Sequence, residues 1–155
     1  MFSWEKLDPR YLKMQEIVQQ ELSYAAHDLD HVLRVVEMSL TLAQKEKGVD
    51  LAILIPAALL HDIARRYEDE DETGTIDHAL LGAEMAAPIL KDLAYEQQSI
   101  WEIQDCIRSH RFRSGFLPKS IEAKILFDAD KLDVIGALGI ARSYILAGIH
   151  GERMY

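Results

Sequence analysis

The sequence predicts an all-α, single-domain bundle of six or seven helices. Three observations carry that prediction. Apolar side chains recur at helical spacing along nearly every segment, and no stretch alternates as a half-buried strand would. Residues that start or stop helices punctuate the runs. The 155 residues suit one domain, 1–155, with no internal repeat. A chain of this size buries roughly 68–70% of the surface its unfolded form exposes, enough for a core without disulfides.

Taken in order, Tyr11 to Leu22 forms the first predicted helix, with Leu12, Ile17, Val18 and Leu22 apolar. Asp28 or Asp30 caps the second, whose apolar positions include Val32, Val35, Val36, Met38, Leu42 and Ala43, and Gly48 stops it. Asp50 caps the third, expected from Leu51 to about Arg66, with Pro56 early enough to be tolerated. It is apolar on almost all sides and reads as the central, buried helix. An acidic loop, Glu68 to Glu72, reads as a solvated turn near the mouth of a site. Asp77 opens the fourth helix, through Leu90, and the fifth spans Tyr95 to Arg111. Phe112 to Ser120, with Gly115 and Pro118, is a loop. The sixth helix runs from Ile121 to about Leu132, and the seventh from Val134 to about Ile149, tolerating Gly136 and Gly139.

The charge balance excludes several classes. With 26 acidic against 17 basic side chains and a net charge of −9, the global field disfavours nucleic acid. Cys106 is the only cysteine, so there is no disulfide framework and a cytoplasmic location is expected. Met1 to Lys6 has no apolar run behind basic residues, so no secretory leader is expected. The longest apolar stretch, Leu51 to Leu60, holds a proline and falls short of the roughly 20 residues a membrane helix needs.

Against this acidic background, six histidines need an explanation. His31, the doublet His61-Asp62, His78, His110 and Asp130 fall on separate predicted helices or their ends. Imidazole and carboxylate together suit Mn, Fe, Co, Zn, Ni or Mg, and no nearby thiolate points to a structural zinc knot. A buried histidine and aspartate need partners, which a metal supplies. Spacing alone leaves a structural ion pair open.

Three strings resemble the HD superfamily of metal-dependent phosphohydrolases: His27-Asp28-Leu29-Asp30-His31-Val32-Leu33-Arg34-Val35, Ala57-Ala58-Leu59-Leu60-His61-Asp62-Ile63-Ala64 and Phe127-Asp128-Ala129-Asp130-Lys131-Leu132-Asp133. They occur in the family's order, within a region of about 26–142. The late aspartate is ambiguous among Asp128, Asp130 and Asp133; the family's Ala-Asp-x-Leu context favours Asp130. Asp77-His78-Ala79-Leu80-Leu81-Gly82-Ala83-Glu84 and Ile107-Arg108-Ser109-His110 resemble segments of binuclear members. The resemblance implies one or two divalent metals, with His31, His61, Asp62 and Asp130 around the first, and Asp62, His78 and His110 around the second. Two departures stand out: Ala64 follows the doublet where many relatives carry glycine, and the Gly-Tyr-Pro motif of cyclic-dinucleotide hydrolases is absent.

The implied activity is hydrolysis of a small phosphoester, nucleotides among the candidates, by a metal-activated water. Asp62, Arg65 and His27 are the candidate catalytic residues. Arg34, Arg65 and, more weakly, Lys131 are candidates for phosphate. His27 and Asp133 are candidates to position a ligand or move a proton. Arg108, Arg111 and Arg113, with Phe112 and Phe116 interleaved, read as a loop over the site. Two other readings stand beside hydrolysis: an HD-type di-iron oxygenase, which has no need of Arg34 or Arg65, and a non-catalytic metal-containing sensor. The expected partner is a small phosphorylated substrate, without membrane or nucleic acid. Ile140, Ile145 and Leu146 on the last helix serve either a core or a homodimer face.

Overall fold

The computed structural model describes residues 8–22, 29–151 and 153. The described chain is helical, in the order α1 (Pro9–Glu21), α2 (Leu29–Ala43), α3 (Leu51–Leu60), α4 (Arg65–Asp69), α5 (His78–Asp92), α6 (Gln97–Ser109), α7 (Ile121–Asp133) and α8 (Gly136–His150). Seven are long and α4 is a short five-residue helix. A 3₁₀ turn, Phe112–Ser114, follows α6, and no strand occurs among the described residues. No described helix is long and apolar enough to cross a membrane.

The helix starts follow local chemistry. Asp8, Asp50, Asp77 and Ser120 each accept a backbone N–H of the helix they precede, and Pro9 begins α1. Asp30 lies in the first turn of α2 rather than ahead of it, and Asp28 lies outside the described residues. The second helix ends at Ala43, and Gly48 takes φ +75° in the turn beyond.

The apolar α3 is the centre of the fold, with Ile53 through Leu60 buried. It packs against α1, α2, α6 and α7, while α5 lies on α6 and α7 on α2. Met14, Val36, Leu59, Ile103 and Leu126 meet in this core with almost no exposed surface. The last helix is different. It touches α7 only lightly, and Ile140 and Ile145 are exposed, so they are not core residues.

One boundary corrects the sequence reading. The third helix stops at Leu60 rather than running to Arg66. Ile63 N–H donates to Leu60 O, Arg65 N–H to Asp62 O and Tyr67 N–H to Ala64 O, so the backbone tightens to three-residue turns. The doublet His61-Asp62 therefore sits on a buried turn between α3 and α4, not on a helix face.

Candidate metal centre

The ends of five long helices converge on one point. His31 comes from the first turn of α2, His61 and Asp62 from the turn after α3, and His78 from the first residue of α5. His110 directly follows α6, and Asp130 lies in the last turn of α7. All but Asp130 are buried, and its side chain is only 17% exposed.

The four histidines share one orientation: Nε2 points inward and Nδ1 faces an outer acceptor. His31 Nδ1 lies 2.7 Å from Asp133 Oδ2, and His78 Nδ1 2.5 Å from Glu68 Oε2. His61 Nδ1 lies 2.8 Å from Ala58 O, and His110 Nδ1 2.6 Å from Ile107 O. An Nδ1–H donated to each acceptor leaves the Nε2 lone pair facing the centre.

Asp62 divides its two oxygens. Oδ2 lies 3.6 Å from His31 Nε2 and 3.7 Å from His61 Nε2, while Oδ1 lies 3.3 Å from His78 Nε2 and 3.6 Å from His110 Nε2. Asp130 Oδ1 faces the first pair, 3.5 Å from His31 Nε2 and 3.9 Å from His61 Nε2. Two triads result, His31-His61-Asp62 and Asp62-His78-His110, each with its donor atoms within 4.8 Å of one another.

These residues fit divalent metal. His61 Nε2 is fully buried and has no hydrogen-bond partner, which is costly for a nitrogen acceptor unless a cation sits against it. His78 Nε2 and His110 Nε2 oppose each other at 3.2 Å; with both Nδ1–H groups donated outward, a cation between the two nitrogens would satisfy both lone pairs. The donors are imidazole and carboxylate only, a set suited to Mn, Fe, Co, Ni or Zn.

The local field is strong. Burial pushes His31 down, but Asp130 and Asp133, with Asp62 nearby, reverse this and hold it at about 9 without metal, so a metal bound at its Nε2 would displace a proton. Burial takes His61 down to about 4, with Asp62 opposing. Burial likewise lowers His78. Burial raises Asp130 and Asp133, yet the hydrogen bond to His31 brings both below the usual carboxylate range, helped at Asp133 by Arg34.

The centre opens into a cleft of about 420 Å³ whose wall includes Arg65, Arg111, Phe112, Arg113, Lys131 and Arg142. The structure brings Arg65 and Lys131 to this wall, each already engaged. Arg65 bonds Asp69, and Lys131 Nζ bonds Asp130 Oδ2 and His110 O. It does not bring Arg34 there. Arg34 grips Asp133 with Nε at 2.7 Å and Nη2 at 3.0 Å, because Asp133 lies opposite this face of α2. His27 lies outside the described residues. Arg111 and Arg113 line the cleft as the loop reading expects, whereas Arg108 turns to Asp105.

Two contributors escaped the sequence reading. Glu68 is not part of a solvated turn: it accepts His78 N–H and Nδ1–H and binds Arg111. Arg142, from α8, reaches Asp133 Oδ2 at 3.0 Å. Composition singles out neither, since Glu68 stands in a run of acids and Arg142 in an apolar helix.

Comparison with known proteins finds a family and several relatives. The sequence pattern of the HD domain family matches residues 28–135. The uncharacterized protein YpgQ of Bacillus subtilis is 34% identical over 146 residues, covering 92% of this chain and 66% of YpgQ. Ribonuclease Y of Chloroflexus aurantiacus is 29% identical over 126 residues, 81% of this chain but 22% of that enzyme. The chain thus spans just under two thirds of the one relative and about a fifth of the other. Among solved structures, a predicted HD superfamily hydrolase from an uncultured Thermotogales bacterium superposes with a TM-score of 0.76 at 39% identity, covering 94% of this chain and 82% of that one. Bacillus subtilis YpgQ in complex with ADP superposes with a TM-score of 0.73 at 28% identity, covering 95% and 70%.

Proposed function

The chain belongs to the HD domain family, and from that premise we propose that it is a metal-dependent phosphohydrolase acting on a small phosphoester, with nucleotides the leading class. The observation that carries the proposal is the division of Asp62 between two pairs of histidine Nε2 atoms. In this reading His31, His61, Asp62 and Asp130 hold one divalent ion, and Asp62, His78 and His110 hold another. Such ions supply Lewis acidity and a nucleophilic water near neutral pH.

The chain's own residues do the rest. Asp62 and Asp130 bring negative charge against the ions, so the loaded centre is less cationic than the metals alone. Glu68 and Asp133 hold His78 and His31 in the orientation that keeps Nε2 inward. The basic side chains of the cleft wall draw a phosphoryl group inward and disfavour a neutral substrate. That wall supports phosphoester hydrolysis over di-iron oxygenation, whose chemistry does not require a phosphate. The ADP complex of YpgQ supports a nucleotide. The buried, unpaired Cys106 suits the reducing cytoplasm.

The test is metal analysis after anaerobic purification, followed by a phosphoester panel with Mn, Co or Mg. Hydrolysis that disappears in a folded Asp62→Ala variant is the expected result. Oxygen consumption without hydrolysis, or retained metal with neither activity, would overturn the reading.

A further inference from the structure

The cleft wall carries five basic side chains, and four are committed. Arg65 bonds Asp69, Arg111 bonds Glu68 and Asp77, Lys131 bonds Asp130, and Arg142 bonds Asp133. Among the described residues nothing engages Arg113, which is exposed. Its neighbour Phe112 lines the same cleft with 80% of its surface open, and among the described residues nothing covers its ring. An open aromatic face beside a cleft is available to stack on a flat group bound there.

These two residues sit on a turn that is tied down. Ser114 Oγ donates to Asp77 Oδ2 at 3.0 Å, Arg111 bridges Asp77 and Glu68, and Gly115 closes the turn at φ +75°. Asp77 in turn caps α5, whose first residue is His78, so the turn is referenced to the metal centre through one side chain. A platform held this way loses little freedom on binding.

We infer that Phe112 and Arg113 form the recognition element of the cleft: the Phe112 ring stacks on a flat aromatic group of the substrate, a nucleobase, while Arg113 binds a phosphate that lies beyond the metal centre. The inference rests on the phosphoester reading above and narrows it to base-bearing substrates with more than one phosphate. It assigns phosphate binding to Arg113, not Arg34, because the Arg34 guanidinium is already engaged on Asp133.

The test is equilibrium binding to the Mn-supplemented full chain, so that it does not depend on turnover. The probes are a non-hydrolysable nucleoside triphosphate analogue and inorganic tripolyphosphate. Base stacking of the usual strength makes Phe112→Ala bind the analogue roughly tenfold more weakly, with tripolyphosphate binding unchanged and Phe112→Trp retaining wild-type affinity. Arg113→Gln weakens both probes together. Equal binding of the analogue by wild type and Phe112→Ala would overturn the inference, as would an equal loss for both probes in that variant. Hydrolysis in the phosphoester panel by the wild type separately tests the phosphoester reading, so the two can fail independently.

Discussion

At the scale of single residues, the outer partner of each histidine decides how firmly its inner nitrogen is held. Each triad has one histidine backed by a carboxylate and one backed by a main-chain carbonyl: His31 on Asp133 and His61 on Ala58 O, then His78 on Glu68 and His110 on Ile107 O. A carboxylate raises the basicity of the imidazole it backs and fixes its tautomer. Glu68→Ala is therefore expected to weaken metal at the Asp62-His78-His110 triad by roughly 10–100-fold while the first triad loads normally. A metal titration that counts both ions checks this, and two full-affinity ions in the variant would refute it. The side chains that converge, His31, His61, Asp62, His78, His110 and Asp130, were legible in the sequence as candidate ligands, because their motifs stand in the order of a known family. Glu68 was not, because five neighbouring acids look alike until the fold shows which one faces His78. Arg34 shows the limit of spacing: it puts the residue on the His31 side of α2, but does not reveal that Asp133 occupies the space in front of it.

At the scale of elements, helix existence and order followed from periodicity and caps, while ends were harder. A helix as uniformly apolar as α3 has no polar face whose loss would mark its last turn, so its end at Leu60 left no trace in the pattern. The sequence places the join of α7 to α8 at Leu132 to Val134 and it lies at Asp133 to Gly136, but its closeness was not legible. Gly136 takes φ +80°, and a Cβ on Gly139 would lie 2.0 Å from Val134 O, so the chain reverses at van der Waals contact. Gly139→Ala must push α8 away from that carbonyl and take Arg142 off Asp133. A loss of about 1–3 kcal/mol is expected, seen as a lower melting temperature. Gly148, in the same helix, provides the control, because a Cβ added there would meet nothing within 4 Å. Gly148→Ala is expected to be neutral or slightly stabilising, by about 0.5–1 kcal/mol. If both alanines behave alike, the close approach at Gly139 is not what sets the position of α8.

At the scale of the whole molecule, the centre is also the place where the bundle is joined. Its candidate ligands come from α2, the turn after α3, α5, the end of α6 and α7, so a metal bound there would tie together five elements of the bundle. The unfolded chain cannot present the same ligands together, so metal binds the native state preferentially and stabilises it in proportion to the logarithm of its concentration. At about 100 times its dissociation constant, an ion adds about 2.7 kcal/mol. For a chain of this length that corresponds to a rise in melting temperature of roughly 5–10 °C. Mn or Co should raise the transition of chelator-treated protein by that amount, and renewed chelation should reverse it. Asp62→Ala, which removes the carboxylate common to both triads, should respond far less to added metal. A melting temperature indifferent to metal in the wild type would mean that the converging imidazoles are a structural cluster, with the buried Nε2 of His61 left unpartnered in the native protein.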